Sequence, residues 1–270
     1  MSAMVSVIMP SYDTAPFIAE SIRSVIAQTY TDWELIIVDD ASTDNTDEVV
    51  ASCNSPRIRY LKNDRNRGAA YSRNRALREA KGKWIAFLDS DDLWAPNKLE
   101  KQIAFMTKNG YAFSYTRYEE MDENGKFTGT IVGGPKRITT TGMYNYCWPG
   151  CLTVMYDREV VGDIQIAEIQ KNNDYAMWLK ICRKADCYLL DENLARYRKR
   201  GGSITHSSHK VPELAEGPMS KAISRHLSLI KWHYKLYREA EGMNPVVSLF
   251  NTGRNLFFGV WKKIKYVGRG

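Results

Sequence analysis

The order of apolar and polar residues in this chain predicts an α/β fold. It calls for a mainly parallel central sheet flanked by helices, with a helical C-terminal extension. Three observations predict it. A short apolar run followed by a helix-spaced segment occurs four times between residues 5 and 106. The apolar runs are continuous, as in strands buried on both faces of a sheet. Two of them stop abruptly in acid, one at Asp39-Asp40 and one at Asp89-Ser90-Asp91-Asp92. In open α/β sheets, ligands bind beyond the carboxyl ends of the strands.

The elements follow in order. Residues 5–9 read as the first strand, and 10–13 as its loop. A helix runs over 15–27; Pro16 suits its first turn, where no N–H is missed, and Phe17, Ile18, Ile22, Val25 and Ile26 form its apolar stripe. Residues 34–38 are the second strand, and Ser42, Thr43 and Asp44 supply caps for the next helix, which ends near Cys53. A shorter strand spans 57–61. Asn66-Arg67-Gly68 breaks the pattern before a helix over 69–80, which Gly82 stops. The fourth strand is 84–88, and Pro96 opens a helix carrying Leu99, Ile103, Phe105 and Met106.

Beyond Gly110 the alternation loosens. A strand is expected over 111–115, and Asp122-Glu123-Asn124-Gly125 is a turn signal inside a hairpin. Residues 129–150 show no firm periodicity. A strand is expected over 151–156 and a helix opening at Asn172-Asn173-Asp174, then short closing strands over 187–190 and 194–197. Residues 198–210 are polar. A helical region covers 219–241, and a last segment begins near Pro245.

At 270 residues, 44% hydrophobic and 26% charged, the chain suits one core with a tail. Its five cysteines are scattered and odd in number, which argues against a disulfide scaffold and fits a reducing cytosol. No leader pattern and no stretch long enough to span a bilayer is evident. The net charge of +7 admits anionic lipid, phosphorylated ligands or nucleic acid as partners.

Several carboxylates at one strand end repel one another unless a cation or donors compensate. Asp89 and Asp91 stand two apart, so one strand end can aim both at a common site. Oxygen ligands of this kind suit Mg²⁺ or Mn²⁺ bridging to phosphate. By spacing alone, a solvated acidic loop explains the same residues.

Four blocks carry a resemblance: residues 5–12 (VSVIMPSY), 33–44 (WELIIVDDASTD), Asn66-Arg67-Gly68 with Arg73-Asn74, and 82–92 (GKWIAFLDSDD). Their order and separations resemble those of inverting family 2 glycosyltransferases with the GT-A nucleotide-diphospho-sugar transferase fold, of the bacterial cell-surface polysaccharide type. Asn173-Asp174 before Trp178-Leu179 resembles the family's later acidic motif. The resemblance covers about residues 4–205; Asp13 departs from it, standing where asparagine is commoner. It implies a catalytic domain over 1–212, with a nucleotide-binding half (1–110) and an acceptor-binding half (111–212), and a helical extension over 213–270.

The resemblance also implies roles. Pro10 and Tyr12 would flank a base and Asp40 would accept from its N3–H, while Asp39 would brace the next loop. Arg67, Arg73, Asp89 and Ser90 would contact the nucleotide-sugar, with one of the two arginines alternatively a solvated helix residue. Asp91, with Asp89, would hold Mn²⁺ or Mg²⁺, and Asp92 would brace the following turn. Asp174 would be the base that takes the acceptor's proton, its helix N-terminus favouring the ionised form. Trp148 would face the acceptor, Trp178 would pack under the sugar or sit in the core, and Arg198 and Arg200, with Gly201, Gly202 and Ser203, would form an arm closing on the diphosphate. His206 is a conceivable further metal contact, and His206 and His209 otherwise read as exposed. The implied reaction moves one sugar, from a UDP-sugar or other nucleotide-sugar, to a glycan or lipid-linked acceptor. The family's processive Gln-x-x-Arg-Trp signature is missing from the chain.

Residues 252–270 hold Arg254, Lys262, Lys263, Lys265 and Arg269 and no acid, with Phe257, Val260, Trp261 and Ile264 on one helical face. Such a helix lies in an anionic membrane interface, or docks on the enzyme or on a partner subunit. The first case implies a cytoplasmic protein held peripherally on the inner face of the membrane. Two other functions call for different motifs. A nucleotidyltransferase acting on a sugar phosphate would need a glycine-rich basic loop after the first strand, and Pro10-Ser11-Tyr12-Asp13-Thr14 is not one. A nucleic-acid-binding module would need an aromatic and basic stripe on a sheet face, and these strands are too apolar; no nucleic acid is expected.

Overall fold

The computed structural model describes residues 4–169, 171–200 and 218–269. The N-terminal half follows the expected alternation: β1 (Val5–Ser11), α1 (Ala15–Ile26), β2 (Trp33–Asp39), α2 (Thr46–Ser52), β3 (Ile58–Lys62), α3 (Ala69–Glu79) and β4 (Trp84–Phe87). Strands β4, β1, β2 and β3 lie side by side in that order, all parallel. Their successive residues serve opposite faces of the sheet. Val7, Met9, Leu35 and Ile37 pack with α1 residues Ile18, Ile22 and Val25. Ile8, Ile36 and Val38 join the opposite cluster with Ala76, Leu77 and Phe87.

The other half is mixed. It comprises β5 (Leu93–Trp94), α4 (Lys98–Asn109), β6 (Phe113–Met121), β7 (Phe127–Val132), β8 (Arg137–Ile138), α5 (Thr140–Asn145), β9 (Met155–Asp157), α6 (Arg158–Val161), α7 (Asn173–Cys182) and β10 (Cys187–Arg198). The sheet continues from β4 through antiparallel β9, β6 and β7. Strand β10 runs parallel to β6. The chain closes with α8 (Pro218–Lys235), a π-helical turn over Leu236–Ala240, α9 (Pro245–Lys265) and β11 (Val267–Arg269), which pairs with β7.

Three expectations are revised. The strand expected over 151–156 is a 3-10 turn (Cys151–Thr153) followed by the short β9. The two closing strands are one strand, β10, whose register slips between Leu190 and Asn193 and again before Ala195, absorbing the polar residues between the apolar runs. Gly82 does more than stop a helix: a Cβ there would stand 2.6 Å from the Met4 carbonyl and from the Ser6 nitrogen, so only glycine fits against β1. Among the described residues, no helix is long and apolar enough to cross a membrane.

Candidate active site

The strand ends β1, β2 and β4 meet at one rim. Two loops over this rim brace each other: the Asp13 N–H donates to Ser42 Oγ (2.9 Å) and the Thr43 N–H to Asp13 Oδ1 (2.8 Å). Asp13 and Ala41 both sit at positive φ, 47° and 63°. Pro10 is buried, whereas the Tyr12 ring stands 44% exposed beside it.

Asp39 is fully buried and accepts from the Ser42 N–H (2.7 Å) and the Tyr60 hydroxyl. Asp40 turns out to be a loop organiser too. Its carboxylate accepts from Asn63 Nδ2 (2.7 Å), the Arg67 N–H (3.0 Å) and the Gly68 N–H (2.6 Å), and the residue is 3% exposed. Gly68 holds φ 89°, which lets two consecutive N–H groups point at one carboxylate. The carboxylate that is expected to meet a base edge is thus also held in place by three protein donors, of the roughly four that a carboxylate can accept. Arg67 is exposed and stacks on the Tyr71 ring at 3.6 Å.

The acidic end of β4 is compensated by three arginines. Arg73, buried on α3, donates through Nη2 to Asp89 Oδ1 (2.5 Å) and through Nη1 to Asn173 Oδ1 (3.3 Å). Arg200 Nε donates to Asp91 Oδ2 at 2.6 Å. The Arg198 N–H donates to Asp92 Oδ1 (2.8 Å), and its guanidinium reaches the Asp91 carbonyl (2.9 Å), the Glu123 carbonyl (2.8 Å) and Glu20 (2.6 Å). Burial, then the charge of Asp89, raises the Asp91 pKa; burial, then Asp91 and Asp89, raises that of Asp92 further. Burial opposes the charge on Arg73, yet its acidic surroundings, Asp89 foremost, hold its pKa above the usual arginine value. The Arg73 Nε is buried with no partner, so this guanidinium keeps one donor free.

Asn173 and Asp174 open α7, and Arg73 joins them to the rim across a hundred residues of sequence. Asp174 accepts from the Tyr175 N–H at 2.8 Å. Burial raises its pKa and outweighs the lowering by Arg73 and by that N–H. Desolvation here outweighs the helix N-terminus, which is expected to favour the ionised form, and a carboxylate with a raised pKa is a better proton acceptor.

Several expected site residues sit elsewhere. Trp178 is 0% exposed, packed edge-on to Phe87 at 5.3 Å and beside Phe113, so it is core and offers no face to an acceptor. Trp148 is likewise buried, enclosed by Tyr146, Phe258 and Tyr266. Arg198 is no arm; it is a buried clamp between β10, α1 and the β4–β5 loop. Asp92 braces the end of β10, not its own following turn. Ser90 is buried in the turn between the two aspartates. Gly201, Gly202, Ser203, His206 and His209 lie outside the described residues. Asn74 is a structural partner that no local signal reveals: its amide exchanges bonds with the Ile166 N–H (2.6 Å) and carbonyl (2.9 Å), tying α3 to the loop before α7.

The model of the family described as glycosyl transferase family 2 matches residues 6–161. The chain belongs to that family. It is an inverting glycosyltransferase of the GT-A fold, an enzyme of bacterial cell-surface polysaccharide synthesis. The transferase is 42% identical over 213 residues to the UDP-Glc:alpha-D-GlcNAc-diphosphoundecaprenol beta-1,3-glucosyltransferase WfgD of Escherichia coli, covering 78% of this chain and 82% of that one. It is 39% identical over 215 residues to WfaP of the same species, described by the same activity, with 78% and 82% covered. In fold it resembles S. aureus TarS 1-349 in complex with UDP-GlcNAc (TM-score 0.67, 21% identity, 97% of this chain and 76% of that one). The transferase moves a sugar from a nucleotide-sugar donor to a glycan or lipid-linked acceptor.

Among the described residues, no group of three or more His, Cys, Asp or Glu converges as a ready-made metal site. The donor set nonetheless fits a hard divalent cation. Mg²⁺-type sites take one or two protein carboxylates and complete their shell with water and substrate phosphates. Asp89 and Asp91 are two such carboxylates, and each is here neutralised by an arginine cation.

Proposed function

We propose that the transferase passes one sugar from a UDP-sugar to a lipid-linked diphospho-glycan, with Asp174 as general base and with Asp89 and Asp91 holding Mn²⁺ or Mg²⁺. One observation carries this reading. A single buried arginine, Arg73, bonds the acidic rim of the nucleotide-side half at Asp89 and the start of the helix bearing Asp174. The group that senses the donor's charge and the group that takes the acceptor's proton are thus fixed to one another. The UDP donor and the lipid diphosphate acceptor come from the activity described for the WfgD and WfaP proteins.

In-line displacement at the anomeric carbon forms one bond to the acceptor oxygen and breaks the bond to the diphosphate oxygen. The acceptor hydroxyl gives its proton to Asp174. The nucleoside diphosphate leaves with the bonding pair. Arg73, with an unused Nε donor, would stabilise negative charge growing on the leaving group, because fixed donors of this kind do so without reorganising. Asp89 and Asp91 would hold a divalent cation, whose chemistry there would be Lewis-acid neutralisation of the same charge. Arg200 would then be released from Asp91 toward the phosphates, which guanidinium matches well. The exposed Tyr12 ring offers a flat packing surface for the base. The setting is the cytoplasmic side of the membrane that carries the acceptor.

The test is a panel of nucleotide-sugars with a synthetic GlcNAc-diphospho-lipid acceptor, with and without Mn²⁺ or Mg²⁺, followed by nucleoside diphosphate release and product analysis. UDP release dependent on acceptor and on metal is expected. Full turnover by Asp174→Asn, or equal turnover in chelator, would remove the base or the metal from the scheme.

A further inference from the structure

Helix α9 is mounted inside out. The side turned to the protein is polar: Ser248, Asn251, Thr252 and Asn255 are buried. The side turned to solvent carries Leu249, Phe250, Phe257, Val260, Trp261 and Ile264, all 44–75% exposed. Water-soluble helices orient the other way, and contiguous exposed apolar surface of this extent marks an interaction site. The neighbouring α8, packed along α9, adds exposed Leu227, Leu229 and Ile230.

The attachment is specific, which excludes a loosely laid helix. Asn255 Nδ2 donates to the Tyr175 hydroxyl (3.1 Å), itself bonded to the Tyr237 hydroxyl (3.1 Å) and the Met143 carbonyl (2.7 Å). Lys262 Nζ donates to the Trp148 carbonyl (2.8 Å), and Arg254 bonds Asn145 and the Thr141 carbonyl (3.0 Å). Tyr175 is the residue after Asp174. The inner face of α9 therefore grips the helix that bears the catalytic carboxylate.

Charge selects the occupant. Helix α9 contains no acidic residue, and exposed Lys263 and Lys265 flank its outer apolar face, with exposed Lys231 on α8. In a two-fold dimer through this face, like patches would meet. The lysines would then face lysines, and α9 has no acid to pair with them. A surface that is apolar in depth and anionic at its edge satisfies both features, and an anionic lipid bilayer is such a surface.

We infer that the outer face of α9, with the exposed apolar residues of α8, docks into an anionic membrane and holds the acceptor half of the active site at the bilayer surface. The link to a lipid-borne acceptor rests on the function proposed above; the docking itself does not.

The test uses the full chain and vesicles of phosphatidylcholine with or without phosphatidylglycerol, read by co-sedimentation without donor or acceptor. Binding to the anionic vesicles is expected, weakened by salt because surface charge is screened. Replacing Phe257→Ser together with Trp261→Ser, or Lys263→Glu with Lys265→Glu, is expected to weaken it by about tenfold or more. These side chains are exposed, so UDP-sugar binding should be unchanged, which checks folding separately. The inference is overturned if the wild-type chain ignores anionic vesicles, if both variants bind them as wild type does, or if the apolar pair instead splits an oligomer that itself shows no lipid binding. Vesicle binding with no turnover on any lipid-linked acceptor would leave docking standing and remove the proposed acceptor.

Discussion

Arg200→Ala should tighten metal binding, although it removes a residue from the heart of the site. Arg200 Nε lies 2.6 Å from Asp91 Oδ2, with side chains only 23% and 17% exposed. Opposite charges about 4 Å apart interact by roughly 4 kcal/mol at an effective dielectric constant near 20. Remaining solvent contact and side-chain entropy reduce the net value to about 1–2 kcal/mol. A cation that uses Asp91 must overcome that sum. Its removal should lower the Mn²⁺ dissociation constant by about 5- to 30-fold in the absence of nucleotide. Calorimetric titration of Mn²⁺ into the nucleotide-free enzyme measures this directly, with Asp91→Asn as the control that should abolish binding. UDP affinity at saturating Mn²⁺ should move the other way if Arg200 turns to the phosphates. Unchanged or weaker Mn²⁺ binding by Arg200→Ala would refute the competition. Failure of the wild-type enzyme to bind Mn²⁺, with or without nucleotide, would remove the metal assignment itself.

Asp174→Asn should lower kcat by about 10²- to 10⁴-fold with little change in donor affinity. The wild-type rate should fall on acidification through a pKa above the ordinary 3.8, because the base works ionised and burial favours its neutral form; an acid limb at or below that value contradicts the assignment. Asp40→Asn should destabilise the fold by about 1–3 kcal/mol, since an amide cannot accept all the N–H groups the carboxylate holds. A thermal melt checks it. Buried Lys98, stacked over Trp94 and bonded to Gln102, has its pKa pushed down to about 7 from 10.5. The unfolded chain therefore binds more protons between those values, and the penalty for burying the charge, roughly 5 kcal/mol at most, is full below pH 7 and fades as pH rises toward 10.5. Lys98→Met should gain a few kcal/mol at pH 6, after about 1 kcal/mol for the lost hydrogen bond, and under 1 kcal/mol at pH 10. Urea unfolding at the two pH values tests it, and a gain independent of pH would sink the argument.

Residues at the rim show how much of their role local sequence leaves open. Asp40 and Arg198 have the side chains of ligand-binding groups, and a strand end or a polar segment is where such groups work. Whether a carboxylate meets a ligand or the chain's own N–H groups depends on how the loop at Gly68 folds back, 28 residues away. Trp148 and Trp178 sit in segments where acceptor contacts are expected, yet aromatic mass is as useful in the core, and the structure puts both there.

By itself the sequence determined the βα alternation and the strand ends that carry acid, because side-chain periodicity and chain-breaking residues act over a few neighbours. It also determined the order and spacing of the four motif blocks, and with them the family. It showed an amphipathic last helix, but an apolar face suits a core and a bilayer equally well. Only the tertiary structure decided that this helix turns its polar side inward, onto Tyr175 and Tyr237. Only the tertiary structure brought Arg73 between Asp89 and Asn173. Both outcomes are packing choices among segments separated by up to a hundred residues, where local propensity has no influence and burial and pairing of charge decide.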